Sequence, residues 1–160
     1  MNEIKEMKEQ HIEILENGDK YYYSDKEMTV RHREDGPAIE NEDGTKCWYV
    51  DGKLHREDGP AFDWDGGSKA WYIDGNCHRE DGPAIESANG TKKWYINGKL
   101  HREDGPAIED ANGTKKWYIN GKKLTEEQFT DRNKTEFSLD ERVMMSASLL
   151  SEQKKELRYN

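Results

Sequence analysis

The chain holds two cysteines, four prolines and three phenylalanines in 160 residues, and it lacks any long apolar run. Cys47 and Cys77 fall at unrelated positions and make no disulfide framework, so free thiols in a reducing compartment are expected. No stretch approaches the ~18 apolar residues of a membrane span. Met1 is followed by Asn2, Glu3, Ile4 and Lys5 with no apolar core of a secretory signal, and a cytoplasmic location is expected. Apolar residues make up 32% of the chain, against ~45–50% in ordinary globular domains, which excludes a single thick core. Basic excess is also missing. Net charge is −9, and residues 1–30, 31–122 and 123–160 carry 4, 14 and 7 basic groups against 8, 18 and 8 acidic ones. A nucleic-acid backbone would be repelled, lipid contact is disfavoured, and a basic protein partner is compatible. Phosphate loops, dinucleotide glycine fingerprints, nucleophile elbows and Cys-x-x-Cys pairs are absent, so no catalytic residue and no cofactor is expected.

What the chain does have is a strict period. His-Arg-Glu-Asp-Gly-Pro-Ala stands at 32–38, 55–61, 78–84 and 101–107, and Trp-Tyr stands at 48–49, 71–72, 94–95 and 117–118. Both step by 23 residues, and such a period defines the fold before any local reading. In the unit from Pro83 to Gly105, Ala84 to Glu86 and Thr91 to Ile96 read as strands. Asn89-Gly90 and Asn97-Gly98 supply the positive φ that hairpin turns need. Leu100 to Glu103 reads either as a third short strand or as an ordered connection. Repeated glycine and proline exclude helices from the units.

The expected fold is mainly β: tandem antiparallel β-hairpin repeats in a meander, followed by an α-helical tail. Three segments follow: residues 1–30 as an N-terminal arm and degenerate capping hairpin, 31–122 as four repeats, and 123–160 as a helical cap or tail. In the first, Ile12-Glu13-Ile14 precedes Asn17-Gly18, and Tyr21-Tyr22-Tyr23 stands where the repeats carry Lys-Trp-Tyr or its variants. In the last, Thr125-Glu126-Glu127-Gln128 and Ser138-Leu139-Asp140-Glu141 read as capping boxes. Leu139, Val143, Ala147, Leu150 and Leu157 then share one helical face, either sealing the sheet edge or forming a dimerisation or docking helix. Residues 1–9 read as a helix or a frayed arm.

The unit resembles the MORN repeat, carried most clearly by Asn97-Gly98-Lys99-Leu100-His101 and Asn120-Gly121-Lys122, over residues 12–122. It departs from that pattern where Arg33, Arg56, Arg79 and Arg102 replace the glycine after histidine. His-Arg-x-Asp-Gly-Pro-Ala with Trp-Tyr looks like a variant array of bacteriophages and giant viruses. The resemblance implies a non-enzymatic binding scaffold, and a viral source would imply contact with a host protein, including a defence component.

Four constellations invite chemistry. His32, His55, His78 and His101 form a column, but equivalent positions of a two-strand unit lie nearly ~10 Å apart, too far to share a zinc ion. A hydrogen bond to the turn within each repeat is the plainer expectation. Asp35, Asp58, Asp81 and Asp104 sit in four copies of one environment, whereas acid–base pairs need two different environments. They are expected to start turns by accepting backbone N–H groups, with the neighbouring Arg and Glu in salt-bridge ladders across repeats. Trp48, Trp71, Trp94 and Trp117 alternate with Tyr49, Tyr72, Tyr95 and Tyr118 along a strand, so one row is expected in the core and the other exposed. If the tyrosines face out, they and the divergent Phe62 and Trp64 are the partner-binding candidates. The functional expectation is a protein-interaction scaffold. Self-assembly, including a homodimer through the tail helix, and small-molecule or nucleotide binding between repeats stand as alternatives.

Overall fold

A computed structural model describes residues 10–134, and the chain divides into two compact units, Met1–Lys123 and Leu124–Asn160. The first is mainly β. Eleven short strands form one open antiparallel sheet, beginning with the hairpin His11–Ile14 and Lys20–Tyr23. Each repeat then adds a hairpin of two-residue strands, such as Ile85–Glu86 with Lys92–Lys93. Three further pairs form separate two-stranded sheets: Tyr49–Val50 with Lys53–Leu54, Tyr72–Ile73 with Asn76–Cys77, and Tyr95–Ile96 with Lys99–Leu100.

The expected strand from Thr91 to Ile96 is therefore two strands, broken at Trp94. Hydrogen bonding explains the break. Trp71 donates its N–H to Ala84 O (2.8 Å) in the following segment and accepts the N–H of His78 (3.0 Å) on its carbonyl. Each such tryptophan thus joins the long sheet by its nitrogen and the small sheet by its oxygen. Trp117 has no His-Arg-Glu-Asp-Gly-Pro-Ala segment after it, and there the strand Lys115–Ile119 runs on unbroken.

Two kinds of turn close each unit. Asp51-Gly52, Asp74-Gly75, Asn97-Gly98 and Asn120-Gly121 have φ of 46–50° and 74–81°, the paired left-handed residues of a type I′ hairpin. At the other end only the glycine is left-handed, as at Gly90 (φ 90°), whose N–H donates to Ser87 O. These outer turns are stitched together along the array. Glu42, Asp65, Ala88 and Ala111 each donate a backbone N–H to a side-chain oxygen of the preceding turn, from Asp19, Thr45, Ser68 and Thr91 respectively.

Cross-strand register gives the long sheet one continuous row of alternating charge. Lys20 faces Glu40, and the row continues through Lys46, Asp63, Lys69, Glu86, Lys92 and Glu109 to Lys115. Opposite charges directly across an antiparallel pair are the favourable arrangement. The most deeply buried residues are small: Ala38, Ala61, Ala84 and Ala107 are all 0% exposed, while among the described residues no large side chain is fully buried. Such a thin interior is what a 32% apolar chain can build.

The degenerate first copy uses the same scheme. Tyr22 takes the tryptophan position, donating to Ala38 O and accepting from His32 N–H. Its longer connection is closed by Asp25, whose carboxylate accepts the N–H groups of Thr29 and Val30. In the second unit, residues 126–134 are helical, and the capping box is formed: Thr125 and Gln128 exchange side-chain to backbone hydrogen bonds at 3.0 and 3.1 Å. The arm at residues 1–9, the second capping box and the stripe at 139–157 lie outside the described residues. No helix among the described residues is long and apolar enough to cross a membrane.

Candidate functional site

The seven-residue motif is largely accounted for by packing. The guanidinium groups of Arg56, Arg79 and Arg102 each lie 4.0 Å from the ring centre of Trp48, Trp71 and Trp94, and Arg33 lies 4.0 Å from that of Tyr22. Arg79 Nε donates to Asp81 (2.8 Å), while Nη1 donates to Pro83 O (3.2 Å) and Glu86 (2.9 Å). Gly82 packs closely against the same group: a Cβ there would stand 3.1 Å from Arg79 Cζ. Gly36, Gly59 and Gly105 repeat the relationship at 2.9, 3.0 and 3.1 Å from their arginines. The alanine that ends the motif is fully buried and supplies the carbonyl for the tryptophan N–H.

The histidines bond to turns, but to those of the next repeat rather than their own. Nδ1 of His32, His55, His78 and His101 accepts the backbone N–H of Asp51, Asp74, Asn97 and Asn120 at 3.0–3.2 Å. Each acceptor thereby holds the first left-handed residue of a type I′ turn. The reach is set by stacking: Gly75 N–H donates to Leu54 O and Gly98 N–H to Cys77 O, which seats every such turn against the preceding repeat. On the ring's far side Nε2 lies 3.6–3.9 Å from Glu34, Glu57, Glu80 or Glu103. Among the described residues no group of three or more His, Cys, Asp or Glu could hold a metal ion.

The aspartates also differ from expectation, in their donor. Asp35, Asp58, Asp81 and Asp104 accept chiefly from the arginine two residues before, and that guanidinium holds each carboxyl below its ordinary value. Four like carboxylates, all held ionised, are suited to fixing arginine and poorly suited to proton transfer. Glu40, Glu86 and Glu109 pair with arginines seven residues before them, from the preceding unit. Cys47 and Cys77 are buried free thiols, each pushed up to about 11 by desolvation, and neither has the lowered pKa of a nucleophile.

The aromatic rows do not divide into a core row and an exposed row. Trp48, Trp71, Trp94, Trp117 and the tyrosines beside them are all half-buried. The chain turns from one sheet to another at each of the first three tryptophans, so face alternation along one strand does not apply. Burial raises the phenols of Tyr49, Tyr72 and Tyr95, and Tyr72 feels both Tyr49 and Tyr95. The tyrosines form a column that interacts with itself along the array.

One place breaks the pattern and stays open. Phe62 and Trp64 stack with ring centres 3.7 Å apart and planes at 25°, and Trp64 is 39% exposed. Ile39, Ile85 and Ile108 occupy the position of Phe62 in the other units, and Asn41, Ser87 and Asp110 that of Trp64. Phe62 faces Cys47 on one side and Ala70 on the other, two small residues that leave room for its ring. The next turn carries Gly66 and Gly67, where an added Cβ would meet nothing within 4 Å. Trp64 and the Asp65 that follows it are both exposed, and an accessible aromatic face can take a cationic side chain. Comparison of the chain with protein-family models, with curated proteins and with solved structures gives no match.

Proposed function

We propose that this protein is a non-enzymatic scaffold that binds another protein through the Phe62–Trp64 pair, taking a basic side chain of the partner against the aromatic face. The observation that carries this reading is the contrast between the repeated and the unrepeated residues. His, Arg, Asp, Gly and Ala of the motif are engaged in packing and hydrogen bonding within and between repeats, whereas the stacked pair stands where one of the four repeats departs from the other three. Tryptophan is among the residues enriched at the energetic centres of protein interfaces. The chain's net charge of −9 favours encounter with a basic surface. The resemblance to phage and giant-virus arrays makes a host protein the class of partner to screen first.

The test is affinity capture from host-cell lysate with two full-length baits, wild type and the double variant Phe62→Ile, Trp64→Ser. The substitutions copy residues the array already uses at 85 and 87, so the fold is retained. A partner held by wild type and lost by the variant supports the proposal. Equal retention by both baits, or capture of nothing but the bait, contradicts it.

A further inference from the structure

The first strand of the long sheet, His11–Ile14, stands at one end of the strand order, and among the described residues only Lys20–Tyr23 pairs with it. Its two isoleucines are the most exposed large apolar side chains among the described residues, Ile12 at 50% and Ile14 at 65%, and the following Leu15 is 40% exposed. Sheet edges are usually blunted by charge, proline, a bulge or extreme shortness; this four-residue strand has no lysine or proline, and Glu13 is its one carboxylate.

The hydrogen-bond phase of the edge follows from its neighbour. Tyr22 donates its N–H to Ala38 and accepts from His32, so both its polar backbone groups face away from the first strand. Ile12, directly opposite Tyr22, is therefore at a non-hydrogen-bonded position, and its own N–H and C=O point outward. Ile14 follows two residues on. Leu15 agrees with this phase, donating inward to Asp19 O at 3.0 Å. The edge thus presents the backbone groups of Ile12 and Ile14 in the spacing that another strand would use.

We propose that this edge is a self-association site, where His11–Ile14 pairs antiparallel with the same strand of a second copy about a twofold axis at Ile12. Side-chain complementarity selects both the occupant and the register. Pairing Ile12 with Ile12 of the second copy sets each His11 opposite a Glu13, an imidazole N–H donor facing a carboxylate acceptor, and the twofold axis makes this pair twice. Pairing Ile12 with Ile14 would set Glu13 against Glu13, which is repulsive. Pairing Ile14 with Ile14 would set Glu13 against Leu15 and gain no polar pair. The interface is small, so association is weak and rises with concentration. The inference does not rest on the Phe62–Trp64 reading.

The experiment uses the full chain carrying Glu16→Cys with a spin label, the native thiols being buried, and reads label separation by dipolar spectroscopy as concentration is raised. Sedimentation reports the mass in parallel. The Ile12 register places the two Glu16 Cα atoms about 27 Å apart, eight residues at ~3.4 Å each. The rival registers give about 20 Å and about 14 Å. The expected result is a dimer with the longest of these distances, abolished when Ile12→Lys is added and circular dichroism shows the fold intact. A monomer at every concentration, a shorter distance, or coupling that survives Ile12→Lys overturns the proposal.

Discussion

The guanidinium of Arg79 lies 4.0 Å from the centre of the Trp71 ring, and a Cβ at Gly82 would press against it at 3.1 Å. Residues 71, 79 and 82 are thereby one packing unit, and the relationship recurs at Arg56 and Arg102. In a sheet with so little apolar volume, the flat face of arginine serves as the cover that a leucine would supply elsewhere.

Gly82→Ala should destabilise the array by about 1–2 kcal/mol through overpacking against Arg79. Its φ is not in the left-handed region, so backbone strain adds nothing. In an Arg79→Ala background the same substitution should have little effect. Urea unfolding of the four proteins checks this.

The thiols of Cys47 and Cys77, pushed up to about 11 by burial, should react slowly while the chain is folded. At pH 8 only about one in a thousand is thiolate. Alkylation should be slow in buffer and complete within minutes in strong denaturant, with mass spectrometry counting two additions.

Asp35, Asp58, Asp81 and Asp104 are held below the ordinary value of 3.8 by their arginines. A carboxylate whose folded pKa lies below its unfolded value adds stability that is present above the unfolded value and is lost as pH falls through the folded one. Loss is therefore expected below about pH 4 and not between pH 5 and 8. The effect at each site is modest, because these carboxylates are largely exposed. Carboxyl titration by NMR should give midpoints below 3.8, and an Asp→Asn series should flatten the acid limb of the melting curve.

Asn97 holds φ of 49°, a left-handed conformation supported by the bond from its N–H to His78 Nδ1. Asn97→Ala should cost about 1 kcal/mol, whereas Asn97→Gly should be near neutral. The comparison of thermal midpoints isolates the turn from the rest of the unit.

Much of the fold was legible in the chain because its signals are local. Asn97-Gly98 names a type I′ turn, Thr125 with Gln128 names a helix start, and the 23-residue step names the array. What was not legible depends on which residue of one repeat lies against which residue of the next. Nothing near His78 announces that its partner is Asn97, 19 residues on; Asp81 is a different case, its donor Arg79 being only two residues away but aimed at it by the stack on Trp71. The break at Trp71 was hidden for the same reason, since Ala84 in the following repeat claims its N–H. Phe62 and Trp64 stood out as departures from the repeat, while their stacking and the small neighbours Cys47 and Ala70 emerged only from register.

The most direct test of the claim that the arginine–tryptophan stack holds each unit together is a double-mutant cycle between Arg79 and Trp71. Arg79→Met, Trp71→Leu and the double variant are compared with wild type by urea unfolding. The account predicts a coupling of about 1 kcal/mol, the stack being lost once in either single variant and not again in the double. Additivity within about 0.3 kcal/mol would contradict it and would leave the motif's arginine without the structural role assigned to it.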